Sequence, residues 1–406
     1  MFTRTTAYCP DRVRHATKEC ANHAPFTHPF TLALNPYQGQ HPDMRIAYNL
    51  ADQHFERTQS IGIFNVSVQL LQHLARDGRY DLHVLGNSSL HPFLEDVMDY
   101  ITFHTYDQPL SGKLQRITWD QFGVYRESMR LKANFLFLPK GFSSFLRKPP
   151  LPTGALVHDV IHTYLNQAYP ERKRQLGIKY FDYAIQATLR HSDLVFTNSQ
   201  FTLDEVADYA SQRNIPDPPL RYLGIGFEPI APGSWPAEKN GGIVVFGQPN
   251  MPNTNQRLLD YLDRWQQASR SALPVHWLAQ KATHRPEHEN WTYHQRLPEN
   301  AYRKTINEAQ VIVFASEYEG FGMIPVEAVL AGTPAVYSDI PVLREVMGDT
   351  GHPFALDDYA AFSAALDTSL TLPRNTIESW ASSLNAMHNW PDLLRRFHEG
   401  LESITT

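Results

Sequence analysis

Two carboxylates stand eight residues apart in Glu319-Gly320-Phe321-Gly322-Met323-Ile324-Pro325-Val326-Glu327. A carboxylate accepts hydrogen bonds from hydroxyls. The backbone amides of Gly320, Phe321 and Gly322 suit the opposite task, because amides converging at a helix start attract anions. Together these chemistries fit a sugar phosphate or a sugar nucleotide. The apolar run Val311-Ile312-Val313-Phe314-Ala315 predicts a strand just before the turn. Pro325 predicts a first helical position just after it, since proline there gives up only an amide that would be unpaired anyway. The turn then falls at the C-terminal edge of a parallel sheet, where open α/β folds bind ligands.

A second chemical residue lies at another strand end, in Val157-His158-Asp159. His158 can hydrogen-bond a hydroxyl, and Asp159 reads as an orienting or helix-start residue. Gly62, in Ser60-Ile61-Gly62-Ile63, falls in the loop after the first strand. Residues 139–150, with Lys140, Phe142, Phe145, Arg147 and Lys148, mix basic and aromatic side chains. Such a loop suits an anionic lipid surface, or is simply solvated. Cys9, Cys20, His23 and His28 match no familiar metal-ligand spacing. There is no Asp-x-Asp pair, no Gly-x-Ser-x-Gly elbow and no Gly-Lys-Ser/Thr phosphate loop. No bound metal or cofactor is called for.

The positioning elements follow from periodicity. From Met44 onward short apolar strands alternate with amphipathic helices, the pattern of a parallel α/β sheet. Strands are expected at 45–49, 81–86, 134–138, 154–158, 193–197, 242–246, 275–279, 311–315 and 333–337. Helices are expected from Gly62 and at 175–190, 200–210, 255–268, 299–308, 357–369, 375–388 and 391–404, with Ser199 as an N-cap. Prolines 216, 218, 219, 229, 232 and 236 read as the end of one domain and a linker. The division is an extension at 1–43, one domain at 44–228, a linker at 229–240, a second domain at 241–388 and a final helix at 389–406. At 406 residues, 42% hydrophobic and 19% charged, the chain has room for two cores. A net charge of −6 offers no global reason to bind nucleic acid, and two cysteines build no disulfide framework. No apolar run is long enough to span a membrane.

The block from Glu319 to Glu327, continued through Ala328-Val329-Leu330-Ala331-Gly332-Thr333-Pro334 and Ser338-Asp339-Ile340-Pro341-Val342-Leu343-Arg344-Glu345-Val346, resembles the donor-site block of family-4 retaining glycosyltransferases. His158-Asp159 and the run His191–Phe201 resemble that family's N-terminal blocks, so the likeness extends over about residues 44–400. The resemblance implies a GT-B fold: two Rossmann-like parallel-sheet domains facing across a cleft, with the final helix crossing back to the first domain. It implies transfer of a hexose, with retention and without metal, from a nucleotide diphosphate sugar to a polysaccharide, oligosaccharide or glycolipid acceptor. His158 and Glu319 would face the transferred sugar, Gly62 and Gly320–Gly322 the diphosphate, and Glu327 the ribose hydroxyls. A cytoplasmic enzyme, peripheral at the inner face of the membrane where its acceptor is lipid-linked, is the expected setting.

One stretch departs from the family. Gln248 stands where the family has arginine, and Thr254 where it has lysine. Charge-assisted hydrogen bonds contribute ~1.5–3 kcal/mol each, so losing two costs roughly 3–6 kcal/mol, or about 10²–10⁴-fold in affinity or rate. Gln248 and Thr254 stay candidate contacts to the diphosphate or base, Lys281 and Arg257 are the cations that could reach the phosphate instead, and Arg296 sits where the family's loop approaches the nucleotide base. Two further readings stay open: a catalytically impaired GT-B subunit that binds a glycan or partner enzyme, and a nucleotide-sugar epimerase.

Overall fold

The computed structural model describes residues 44–55, 61–107, 110, 113–170, 176–248, 251–279, 288–295 and 297–405. The Cys9, Cys20, His23 and His28 group lies outside them, as do Lys281 and Arg296. Two all-parallel sheets form the frame. The first contains β1 (Arg45–Asn49), β2 (Asp81–Gly86), β3 (Thr102–Thr105), β4 (Phe135–Leu138), β5 (Thr153–Val157), β6 (Leu194–Thr197) and β7 (Leu220–Tyr222), in the order β3-β2-β1-β4-β5-β6-β7. The second contains β8 (Ile243–Phe246), β9 (Val275–Leu278), β10 (Trp291–His294), β11 (Val311–Phe314), β12 (Ala335–Ser338) and β13 (His352–Phe354), in the order β10-β9-β8-β11-β12-β13.

Central strands such as Phe135-Leu136-Phe137-Leu138 and Val311-Ile312-Val313-Phe314 are buried throughout, because helices cover both faces of a parallel sheet. On β1, Ile46 and Tyr48 join a core with Phe64, Leu70 and Leu74 of the helix Ile61–Asp77, whereas Ala47 faces Trp119 and Val124. The chain builds each sheet outward in one direction and then returns to the other side of its first strand. The sheets therefore change direction between β1 and β4 and between β8 and β11, and the connections diverge there to leave a crevice at the strands' carboxyl ends.

Three local expectations change. The helix after the glycine turn starts at Met323, two residues before Pro325, because Gly322 caps it in a left-handed conformation (φ 86°) open to glycine. Pro325 is then the third helical residue, whose amide would still lack an intrahelical partner, so its ring costs no hydrogen bond. Gly62 is the second residue of the helix Ile61–Asp77 and not part of the loop. In that first turn its amide has no helical partner either. The proline-rich stretch contains β7, an edge strand beside β6 that tolerates Pro218 and Pro219 at its start.

The two halves are tied together around residues 199–202. Ser199 Oγ and Thr202 Oγ1 donate to the Gly320 carbonyl at 2.6 and 2.8 Å. The amides of Gln200 and Phe201, at the start of the helix Gln200–Gln212, donate to the two carboxylate oxygens of Glu345, each at 2.7 Å. A carboxylate from the second half thus satisfies helix amides of the first, at the end of the helix dipole that favours negative charge. The helix Trp390–Thr405 lies on the first sheet, with Phe397 stacked on Phe196 at 5.4 Å and Trp390 stacked on His73 at 3.8 Å.

Candidate active site

The end of β5 and the turn after β11 meet at backbone contact. A Cβ added to Gly320 would lie 1.9 Å from the His158 carbonyl oxygen and 3.0 Å from Asp159 Cβ, so only glycine permits this approach. Gly322 is constrained by its backbone, since its φ of 86° strains any side chain, and a Cβ there would also displace the Leu343 side chain. Gly62 contrasts with both. Among the described residues a Cβ there meets Met323 Sδ at an ordinary 3.7 Å, so their packing does not demand glycine. Gly62, His158, Asp159 and the Glu319–Met323 turn are brought together, although more than 250 residues separate the ends of that set.

His158 is buried and its Nε2 donates to the Pro139 carbonyl at 2.7 Å. Burial pushes its pKa down to about 4 against the upward pull of that hydrogen bond, so the ring is neutral at pH 7. With Nε2 protonated, Nδ1 is an acceptor. Glu319 is moved the other way, up to about 7: burial contributes most, a hydrogen bond from Ser316 opposes it, and the Asp159 charge adds to it. Both protonation states of Glu319 therefore exist at neutral pH, and it can donate to or accept from a sugar hydroxyl. Asp159 is raised by burial, while its Oδ1 accepts from the amide of Ile161, first residue of the helix Ile161–Ala168. Glu327 lies in the helix Met323–Leu330, where Tyr302 Oη donates to it at 3.3 Å. The Phe321 ring is a core group between Phe227 and His388, which leaves only its amide for a ligand.

A family model described as "Glycosyltransferase Family 4" matches residues 62–215, and one described as "Glycosyl transferases group 1" matches residues 275–383. The chain belongs to the group 1 glycosyltransferases. The O-antigen chain mannosyltransferase RfbU of Salmonella typhimurium is 28% identical over 107 residues, which cover 26% of this chain. The match spans about a quarter of that relative's length (25%). Two solved structures carry the same GT-B fold. Sucrose-phosphate synthase from Thermosynechococcus elongatus has a TM-score of 0.61 at 15% identity, covering 89% of this chain and 99% of that one. Anabaena Alr3699/HepE in complex with UDP and glucose has a TM-score of 0.60 at 14% identity, covering 89% and 100%.

In this glycosyltransferase the crevice between β8 and β11 is bridged by a contact the sequence did not announce. Thr254 is buried in the first turn of the helix Pro252–Ser269, and its Oγ1 donates to Glu317 Oε1. Glu317 also accepts from Tyr164 Oη at 2.7 Å and from Tyr169 Oη at 3.0 Å to each of its oxygens. The backbone of Gln248 braces the same loop, its N–H donating to Asn255 Oδ1 at 2.7 Å and its C=O accepting from Asn255 Nδ2 at 2.7 Å. Arg257 donates to the Leu356 carbonyl at 3.3 Å. The matching crevice of the first sheet holds Asp52, just after β1, paired with Lys140, just after β4. Asp120 lies near both, hydrogen-bonded by Tyr180 Oη at 2.8 Å, with its pKa pushed up to about 7 by burial and the Asp52 charge.

Glu317, Tyr164, Tyr169, Asp52 and Asp120 were absent from the sequence expectation. The available signal was weak: Glu317 and Asp52 are acids just beyond a strand, a position many surface acids also occupy. Among the described residues no group of three or more His, Cys, Asp or Glu is arranged to hold a metal. No helix among them is long and apolar enough to cross a membrane.

Proposed function

We propose that this glycosyltransferase moves a hexose, with retention and without metal, from a nucleotide diphosphate sugar to a glycan or lipid-linked acceptor. The observation that carries the reading is the cleft where His158-Asp159 of one sheet edge meets Glu319–Met323 of the other. Nδ1 of neutral His158 and the carboxyl of Glu319 receive hydroxyls of the transferred sugar. Glu327 takes the ribose hydroxyls, and the Gly320–Gly322 amides, with Gly62 opposite, take the diphosphate. The acceptor hydroxyl forms its bond to the anomeric carbon on the face from which the diphosphate leaves, and a diphosphate oxygen takes its proton. The protein's part is positioning and stabilisation of the leaving charge. Support for a nucleotide-sugar donor comes from the relatives: a mannosyltransferase by description, and a neighbour solved with UDP and glucose.

We place the enzyme in the cytoplasm, peripheral at the inner membrane face. Exposed Leu146 and Phe122 support this, together with Arg147, whose guanidinium lies 5.5 Å from the Phe122 ring centre. A catalytically impaired subunit is the second reading, favoured by the acid that lies against Thr254. Calorimetric titration with UDP, GDP, ADP, dTDP and CDP sugars, with Glu327→Ala as control, tests the first. Saturable binding of one donor, lost in the variant, is the expected result. No binding by any donor to the folded protein moves the assignment to the impaired subunit.

A further inference from the structure

Glu317 is an anion held by three hydroxyl donors at the place where a parallel sheet of this topology receives its ligand. Thr254 follows β8 and Glu317 follows β11, the two strands that flank the change of direction in the second sheet. Tyr164 and Tyr169 come from the opposite side of the cleft, in and just after the helix that starts behind His158-Asp159. Tyr164 is stacked on Tyr318 with ring centres 5.4 Å apart, so its hydroxyl is aimed by packing. Neutral O–H groups that converge on one anion have the geometry to serve another anion of similar size. This chain has neither arginine nor lysine at 248 and 254, so a neutral amide at Gln248 and a hydroxyl at Thr254 are what these positions can offer.

We propose that Thr254, Tyr164 and Tyr169 form a diphosphate-binding site made of neutral donors, and that Glu317 occupies it until the donor's diphosphate displaces its carboxylate. The inference rests on the nucleotide-sugar reading given above and adds residues to it. Glu317 then has two consequences. It keeps the three hydroxyls ordered in the unliganded cleft and ties the two halves together. It also competes with the ligand, so the enzyme responds only to donors whose diphosphate outbids an internal carboxylate. Displacement exchanges one set of O–H···O⁻ bonds for another and needs no proton transfer.

The test is calorimetric binding of inorganic pyrophosphate and of UDP, GDP, ADP, dTDP and CDP to the full chain and its variants. Circular dichroism and thermal melting verify folding. Glu317→Gln keeps the shape and some hydrogen bonding but removes the charge, and the expected result is a rise of about tenfold or more in affinity for the preferred diphosphate. Glu317→Ala, a second route to the same vacancy, moves in the same direction. Within the Glu317→Gln background, Tyr164→Phe, Tyr169→Phe and Thr254→Val each lower that affinity by about fivefold or more. Unchanged or weaker binding in both Glu317 variants overturns the proposal. So does a rise that the three hydroxyl deletions leave untouched, because the hydroxyls would then serve only Glu317. Binding that is lost in Glu327→Ala yet indifferent to all Glu317 variants overturns this inference alone. Binding absent from every folded variant overturns it together with the nucleotide-sugar reading.

Discussion

The two sheets change direction in the same way, between β1 and β4 and between β8 and β11, yet their crevices are filled by different chemistry. In the first, Asp52 is paired with the cation Lys140, and the Asp52 side chain is 1% exposed against 25% for Lys140. In the second, among the described residues, Glu317 accepts from the neutral hydroxyls of Thr254, Tyr164 and Tyr169. In the charge-paired crevice the most buried acid, Asp52, is already compensated by a cation of the same chain. A hydroxyl-lined crevice is still open to exchange, because its donors hold any anion and carry no charge of their own. The same topology therefore makes one edge a fixed structural joint and the other a place where a ligand's charge decides the outcome.

This contrast can be broken most sharply at Lys140. Lys140→Met leaves Asp52 buried without its counter-charge and is expected to cost about 3 kcal/mol of stability, read by urea denaturation. Asp52→Asn combined with Lys140→Met restores most of it. A single variant as stable as the parent would show that the first crevice is not held by charge. The corresponding change in the second crevice is milder. Thr254→Val keeps the buried shape and leaves Glu317 its two phenols, so the expected loss is about 1–2 kcal/mol in the same measurement. A loss equal to that of Lys140→Met would erase the distinction between the crevices.

The smallest effect is a pH dependence. Glu319, half-buried in the cleft, titrates at about 7 in the folded protein, above the ordinary carboxylate range, chiefly because desolvation there disfavours its charge. Its contribution to stability is therefore complete at pH values below the unfolded pKa and is lost as pH rises through about 7. Glu319→Gln removes that loss, so the variant's Tm measured against the parent's should climb from about pH 5 to about pH 8. His158 acts in the opposite sense, its contribution fading on acidification toward about 4, and it is common to both proteins. A Tm difference that stays flat would mean that Glu319 ionises as an ordinary surface acid.

Much of the frame was legible from local pattern. Apolar runs such as Val311–Phe314 and the N-cap Ser199, whose Oγ accepts from the Thr202 amide at 2.9 Å, are signals written within a few residues. The short strands β3, β7, β10 and β13 were not found, because each is a four- or three-residue edge segment with polar positions and little periodicity. The helix start was misplaced by two residues because proline suits the third helical position about as well as the first, and only the backbone of Gly322 distinguishes them.

By itself the sequence determined the alternation of strands and helices, the Glu319–Glu327 block and the absence of Arg and Lys at 248 and 254. These are properties of residue type and short spacing, and they survive without knowledge of what packs where. Tertiary structure alone decided which strands flank each change of direction, and so which side chains share a crevice. Tyr164 and Tyr169 reach Glu317 from 153 and 148 residues away. Pairings that distant leave no local trace in the chain; they exist because strand order brings two sheet edges face to face.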